Sequence, residues 1–501
     1  MKIMKRSLIL FIALISCFSM TSCEKFLESR DKSSVLEDDL FTNREGFEEA
    51  LYGIYELLGT QPLYGAYFSL LPEGMGQGYR VIPESNNIGI FQKVMLHMHS
   101  DDGPAGLYKE TWTTAYKAIS DINKILEHLD NWTGKPLKYG DIYRGECLGL
   151  RAFLSFDLLR SFASVGMDKR GIPYVDKYGM YVTAFGTTKD CYRKIIDDLK
   201  KAESLLAEDE NFLTWPRLPE DPYNAFMSDR ECHFNLYAAK AALARVYWQR
   251  NQPGDLDSAA VYAEQVIESG VFPLPTGELV SSDYFIRMMS GTISQREAIF
   301  GIYKEDTYTD AFNMFMKQTS AYVPADTNMY EMETGKFDRR KDWIRVPHIN
   351  TNDKDLQGKY GLRFHKLVSA VAFNIADEKL APIGINGINV IRIPEMYLIV
   401  AEANLEKDPK KALDAYNTFI TSRELPAESG PVTMEMIEKQ VYLEYVQEGY
   451  VWYRLKRAQV SEIKVESSLA KKSQDVIKMN ESTWNWRIPD GEFEFRPEGS
   501  Y

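Results

Sequence analysis

The sequence predicts a mostly helical protein made of paired helices, with long irregular connections between the pairs. Three observations carry that expectation. Two segments read as helical hairpins, several earlier segments repeat apolar residues at the helical period, and three long stretches show no helical period at all.

The chain opens on a basic tip, Lys2, Lys5 and Arg6, followed by the apolar run "SLILFIALISCFSM", which is a secretory signal pattern. Spanning a bilayer takes about 20 apolar residues in a row, and this run meets Thr21, Ser22 and then the charges of "CEKFLESRDK" first. A cysteine at the cleavage point reads as a lipoprotein signal. Two cysteines compete for the role, because Cys17 lies in the better local box, "LISC", while Cys23 leaves the longer apolar core. Local pattern alone leaves both open.

Next come amphipathic helices. "NREGFEEALYGIYELL" puts Phe47, Ala50, Leu51, Ile54 and Leu58 on one stripe, and "YKETWTTAYKAISDINKILEHL" does so with Trp112, Tyr116, Ile119, Asn123 and Leu126. "RGECLGLRAFLSFDLLRSFA" and "CYRKIIDDLKKAESLL" form a further pair. In the hairpin from Glu231 to Gly270, Phe234, Tyr237, Ala241, Ala244 and Trp248 share a face, "NQPGD" stops the helix, and Ala260, Ala263 and Ile267 resume the period. In the hairpin from Arg392 to Arg423, Pro394 opens a helix lined by Tyr397, Ala401 and Asn404; "EKDP" breaks it, and Ala412, Ala415, Tyr416 and Phe419 line its partner. Small and large residues alternating in paired helices of about 34 residues is the tetratricopeptide design. From two copies alone, two unrelated hairpins would read the same way.

The aperiodic stretches are 61–106, 208–230 and 274–360, rich in Gly, Pro, Asn, Tyr and Met. Structureless segments of that length inside a compact domain are usually functional, so binding surfaces are expected there.

Composition excludes several classes. With 501 residues, 45% hydrophobic and 26% charged, the chain can bury a large core. Lys plus Arg at 59 against Asp plus Glu at 72 gives a net charge of -13, which repels phosphate backbones and argues against nucleic-acid binding. Outside the signal region only Cys147, Cys191 and Cys232 remain, too few and too scattered for a disulfide framework. The 30 Tyr, 25 Phe and 8 Trp supply rings both for packing between helices and for stacking on ligands with apolar faces.

Ordered motifs along most of the chain resemble those of the SusD/RagB nutrient-uptake lipoproteins of the Bacteroidetes outer membrane. They run from "SCEKFLE" and "FTNREGFEEALYGIY" through "WTTAYKAISDINKIL", "LRAFLSFDLLRSF", "GIPYV", "EAIFGIY" and "IRIPEMYLIVAEANL" to "WRIPDGEFEFRPEGSY". In that family the lipidated cysteine precedes a Phe-Leu-acid step, here Phe26, Leu27 and Glu28, so the resemblance selects Cys23 and leaves Cys17 in the discarded peptide. It further implies a right-handed superhelix of tetratricopeptide-like hairpins, glycan or peptide capture without catalysis or cofactor, and a SusC-like TonB-dependent transporter as partner. The expected layout is a signal peptide at 1–22, a lipid-anchored tether at 23–40, an N-terminal SusD-like part at 41–230 and a C-terminal RagB/SusD part at 231–501, the last two forming one compact unit. One departure stands out. "YLEYVQEGYVWYRLKR" keeps Glu448, Gly449, Leu455 and Arg457 of the family pattern but has Val451 and Arg454 where Arg and Asp are usual, which puts the packing of that helix in question.

A rival reading attaches to "VMLHMHSDD", where His97, His99, Asp101 and Asp102 approach the HxHxDH box of metal-dependent hydrolases. Asp102 stands where the last histidine belongs, and His128, His233, His348 and His365 lie in no ligand setting. "GMGQG", Gly74 to Gly78, lacks the lysine and the strand-to-helix context of a phosphate cradle. For a sugar site, which mixes rings with polar partners, the ligand-binding candidates are Tyr79, Arg80, Asn86, Asn87 and Phe91 in the first long stretch and Tyr308, Tyr322 and Tyr330 in the third, with Trp215 and Tyr223 as the fallback.

Overall fold

The computed structural model describes residues 40–81, 89–221, 224–277, 292–307, 338–345, 385–470 and 473–494, with the short stretches 322–326, 328–332 and 363–364 and the single residues Leu279, Lys366 and Arg496. Cys23, Asn86, Asn87, Tyr223 and Tyr308 lie outside the described residues.

Helix α1 spans Arg44–Leu58 and starts where Asn43 accepts the Gly46 N–H at 3.0 Å. Its stripe of Phe47, Leu51, Ile54 and Leu58 is buried as the period predicts, and Tyr55 is buried with them. A kinked turn leads to α2 (Tyr67–Met75), strand β1 (Tyr79–Val81) and α3 (Ile90–Met95). The long α4 (Asp102–Asp130) buries Trp112, Ile119, Asn123 and Leu126. Helix α5 (Gly140–Phe162) is enclosed on nearly every side, which is why its sequence shows apolar residues all round rather than one stripe. Helix α6 (Thr188–Leu205) begins in a Thr187/Asp190 capping box.

The two hairpins form as expected. Helix α7 (Leu236–Arg250) is capped by Asn235, whose side chain accepts from Ala238 N at 2.9 Å. Ala238, Ala239, Ala241, Ala242 and Ala244 are all fully buried, letting neighbouring backbones approach closely. Helix α8 (Asp255–Glu268) resumes after Gly254, five residues ahead of the first apolar position that marked it in the sequence. After strands β2 (Thr292–Ile293), β3 (Ala298–Tyr303), β4 (Tyr322–Pro324), β5 (Ile344–Arg345), β6 (Arg363–Phe364) and β7 (Ile385–Arg392), helix α9 (Ile393–Asn404) pairs with α10 (Pro409–Thr421). From α4 to α10 each helix packs on the next, α8 meeting α9 across the intervening strands, so the hairpins stack in series. Helices α11 (Met434–Glu444) and α12 (Tyr450–Ala458) follow.

The strands form small antiparallel sheets that tie the array to its loops. β7 lies between β2 and β3, β1 pairs with β4, and β5 pairs with β6. The β3 register places Tyr303 opposite Gly387, whose φ is +158°; a Cβ there would stand 2.4 Å from the Ile302 carbonyl oxygen.

A buried charge cluster joins the sheet to the last helices. Arg423 reaches Glu297 and Glu444 at 2.9 Å each, and Arg392 reaches Glu444 and Glu448 at 2.7 Å. Arg340 adds Asp338 at 2.6 Å and Glu444 at 3.1 Å, and Lys366 pairs with Glu448. Four cations thus meet four carboxylates. Burial alone would raise the Glu444 pKa, but Arg423, Arg392 and Arg340 outweigh it and hold the carboxyl well below its usual range.

The departure in α12 is resolved here. Arg454 lies between Glu402 and Glu438, each at 2.7 Å, Arg457 takes the other Glu402 oxygen at 2.7 Å, and both guanidiniums cover the Trp248 ring. The charge partners come from α9 and α11, and Trp452, Tyr453, Arg454 and Lys456 of the helix are buried. At its start Gly449 (φ +75°) donates its N–H to buried Glu73 at 3.0 Å, with no room for a Cβ against the Ser69 carbonyl. Cys147, Cys191 and Cys232 are free and buried.

Candidate functional site

An open cleft of about 1000 Å³ lies between the outward face of α1, the segment 220–233 and the end of β3 with residues 304–306. Its walls therefore come from two of the three aperiodic stretches, brought against a helix. Tyr52 on α1 is 45% exposed and Tyr303 at the end of β3 is 52% exposed, and both line it. Tyr52 is braced from behind by Phe226 and His233, whose ring centres lie 5.2 and 6.0 Å away. Glu49, Glu56, Asp229, Glu305 and Asp306 supply hydrogen-bond acceptors around the rings. Lys304 crosses from one wall to the other, donating to the Gly59 carbonyl at 3.1 Å.

A buried polar network fixes the floor. Glu146 receives Arg230 at 2.6 Å, the His233 ring nitrogen at 3.2 Å and the Tyr55 hydroxyl, while Arg230 also reaches Asp209 at 2.7 Å. Tyr55 in turn accepts the Phe234 N–H at 2.8 Å. Burial pushes the Glu146 pKa up, but Arg230 and His233 more than reverse this and lower it to about 2. Burial, followed by the Glu146 charge, drives the Tyr55 hydroxyl well above its ordinary pKa, so it stays protonated and donates. The His233 and Phe226 rings, 4.5 Å apart, are thereby held rigidly behind Tyr52. Chemically, the cleft can stack the apolar faces of a ligand on two tyrosines and accept hydrogen bonds from its hydroxyl or amine groups.

The residues singled out in the sequence fall elsewhere. Strand pairing of β1 with β4 does bring the first and third long stretches together, with Arg80 opposite Val323 and Val81 opposite Tyr322. Arg80 is exposed there, and Phe91 is half-buried 5.9 Å from the Tyr79 ring. Tyr79 is buried, and so is Tyr330, whose hydroxyl donates to the Leu443 carbonyl at 2.8 Å; both rings pack in the interior rather than facing solvent. Trp215 is sandwiched between Arg217 and Arg296 at 5.6 and 4.5 Å. Tyr52 and Tyr303 were missed. Tyr52 carries a signal, since it stands off the stripe that Phe47, Leu51, Ile54 and Leu58 define, and a large ring on the solvent side of an amphipathic helix calls for an explanation.

His97 and His99 are structural. His97 faces the Thr483 and Met75 carbonyls at 2.9 and 3.0 Å, and His99 faces the Tyr108 hydroxyl and the Thr483 carbonyl at 2.7 and 2.9 Å. Every ring nitrogen is engaged by a fixed partner, and burial lowers both pKa values, that of His99 to about 3. The pair ties the start of α4 to the C-terminal segment.

Solved structures share this fold of stacked helical hairpins with looped strands. A SusD superfamily protein from Bacteroides thetaiotaomicron matches with a TM-score of 0.69 at 19% identity, covering 91% of this chain and 98% of its own. A SusD-like carbohydrate binding protein from Bacteroides vulgatus matches at 0.65 and 18% identity, covering 90% and 96%. In sequence, the SusD-like protein P38 of Formosa agariphila is 23% identical over 91% of this chain and 92% of its own length. Residues 25–248 match the SusD-like family model described as starch-binding and associating with the outer membrane.

Proposed function

We propose that this protein is a lipid-anchored, cell-surface binding protein that captures glycans and passes them to a SusC-like TonB-dependent transporter without catalysis of its own. The observation that carries the reading is the cleft with two exposed tyrosines among carboxylates, since sugars offer C–H faces to rings and hydroxyls to acceptors. The names of the relatives, starch-binding for the family and carbohydrate binding for a structural neighbour, point the same way. Among the described residues no helix is long and apolar enough to cross a membrane, which suits attachment through a lipid on Cys23 ahead of the tether 23–40. Packing of α6 on α7, across residue 230, supports treating 41–230 and 231–501 as one unit. Arg80 and Phe91 form a second contact region in this reading.

A screen of the soluble chain begun at Glu24 against polysaccharides and peptides tests it. The expected result is binding of a glycan that weakens about tenfold in Tyr52→Ala or Tyr303→Ala. Binding of peptides alone, or of nothing in the presence of a folded protein, overturns the reading. For the anchor, acyl label should be lost in Cys23→Ala and kept in Cys17→Ala.

A further inference from the structure

The connection between α5 and α6 carries a run of apolar residues into solvent. Met180, Tyr181 and Val182 are 105%, 71% and 65% exposed, and Tyr178 just before them is 36% exposed. A lone exposed apolar side chain is ordinary, but a contiguous run calls for a partner. The run is also held in place. At the base of the loop the Pro173 and Val175 carbonyls accept from the Tyr116 hydroxyl and the Asn123 amide of α4 at 2.8 and 2.9 Å. On the returning side the Gly186 carbonyl accepts the Gly171 N–H at 2.8 Å, the Phe185 ring stacks on Phe493 at 5.8 Å, and Arg496 donates to the Thr183 carbonyl. Between these anchors the tip turns at Gly179, whose φ is +121°, and the Tyr181 N–H donates back to the Gly179 carbonyl at 3.0 Å. A pinned base thus displays an apolar tip, which is unfavourable in water alone.

Its position indicates the occupant. Lys124 and His128 stand four residues apart on α4, hence on one face of the helix and about 6 Å apart along its axis. The Lys124 ammonium lies 5.7 Å over the Tyr178 ring, and the His128 ring stacks on Phe41 at 4.1 Å. A lipid on Cys23 is joined to the fold only through residues 23–39, and the described chain begins beside Phe41, at Leu40. The tether therefore arrives one helical turn from the apolar tip. Charge agrees with a lipid surface, in a chain whose net charge is -13. Lys124 and exposed Lys177 flank the tip; Asp176 is paired with Lys194 at 2.9 Å and Asp121 with Lys117 at 2.7 Å, which leaves Glu127 as the opposing acid on that stretch of α4. Tyrosine rings at headgroup level with lysines reaching the phosphates is the pattern of an interfacial contact.

We propose that the 178–182 tip enters the surface of the bilayer to which the chain is anchored, with Met180, Tyr181 and Val182 below the headgroups and Lys124 and Lys177 at the phosphates. The assignment rests on the lipid-anchor reading above and adds an orienting contact to it. A tether limits how far the fold can stand from the membrane but not which side faces it. A second contact beside the tether's entry sets that side. The cleft walls include no residue of the 163–187 connection, so this contact and ligand binding use different surfaces.

The test uses the lipidated full chain with one added reporter cysteine, which labels selectively because Cys147, Cys191 and Cys232 are buried. Met180→Cys reports on the tip. Met434→Cys is the control, exposed at the start of α11, which packs on α9 late in the array. Each carries an environment-sensitive fluorophore and is reconstituted into vesicles of phosphatidylethanolamine and phosphatidylglycerol containing a doxyl-labelled lipid. The label at 180 should shift to the blue and be quenched at least threefold more than the label at 434. Adding Tyr181→Ser and Val182→Ser to Met180→Cys should bring its quenching down to the control level with Tm unchanged, since exposed tip residues contribute little to the core. Equal quenching at the two positions, or quenching at 180 that survives the serine substitutions, overturns the assignment. A blue shift at 180 that appears only in native outer membranes, without quenching by lipid, gives the tip a protein partner instead and overturns it as well. If the chain floats with the vesicles and 180 is not quenched, only this inference falls; if it does not float, the anchor reading falls with it.

Discussion

Tyr52 and Tyr55 stand one helical turn apart on α1 and belong to different regions of the molecule. Tyr55 is sunk in the hairpin array, its hydroxyl bound to Glu146 and its oxygen accepting from Phe234. Tyr52 faces the cleft, with no hydroxyl bond to any described residue, and is positioned by the rings behind it. The same side chain thus serves rigidity in one region and access in the other. Abundance of tyrosine says nothing by itself about ligand binding; what matters is whether the ring's far side meets protein or solvent. The array is held by buried ion pairs and hydrogen bonds, while the cleft leaves acceptors and ring faces uncovered.

The comparison breaks if the array tolerates loss of its charges. Glu444 touches three arginines, so Glu444→Ala would leave Arg423, Arg392 and Arg340 each one carboxylate short in the interior, with Glu297, Glu448 and Asp338 as their remaining partners. Removing one partner from a buried ion cluster costs about 3–5 kcal/mol, and a large fall in Tm is the expected result. A Tm within 2 °C or so of the parent would mean that water reaches the cluster.

Smaller, and opposite in sign, are two pH effects. Glu146 is lowered to about 2, beneath the ordinary glutamate value of about 4.3. Its stabilisation is therefore present above that ordinary value and lost as pH falls towards 2. Glu73 is raised to about 7 because it is buried, a cost only partly offset by the N–H groups of Gly449 and Gln447. Its contribution is full below the ordinary value and fades as pH rises through 7. Glu73→Gln should raise Tm at pH 8 and leave it unchanged near pH 4. An equal change at both pH values would remove Glu73 from this role.

The helices were legible because a stripe is a local property. Phe47, Leu51, Ile54 and Leu58 announce their own burial, as do the alanines of α7. The charge cluster was not legible. Arg392, Arg423, Glu297 and Glu444 stand on no stripe that announces their burial, since 147 positions separate the two carboxylates and sequence carries no trace of partners that distant. For the same reason Tyr79 and Tyr330 looked available in aperiodic stretches that in fact fold back into the core. What the sequence did indicate was the class of place to look, as segments 220–233 and 303–306 flank the cleft. It could not indicate that α1 supplies the remaining wall.

Within α1 the comparison can be sharpened one hydroxyl at a time. Tyr55→Phe keeps the ring and deletes the donor to Glu146 and the acceptor for Phe234 N–H, leaving a buried N–H unserved. A cost of about 1–3 kcal/mol is expected, read as a lower midpoint in denaturant, with glycan affinity reduced only as far as Phe226 and His233 shift. Unchanged stability would show that the floor of the cleft is not fixed by this network.

The smallest effect on stability belongs to Tyr52. Its ring is about half exposed and sits on the solvent side of the stripe, so Tyr52→Ala should change stability by no more than about 0.5 kcal/mol. It should nonetheless weaken binding at the cleft, because it removes one of the two exposed rings on which a sugar can stack. Tyr52→Phe separates the contributions, since it preserves the face and removes the hydroxyl: retention of affinity assigns the role to stacking, and loss equal to that of the alanine variant assigns it to the hydroxyl. If Tyr52→Ala instead lowers Tm as far as Tyr55→Phe does, then Tyr52 holds Phe226 and His233 in place as much as they hold it, and the division of α1 into a structural face and a binding face is wrong.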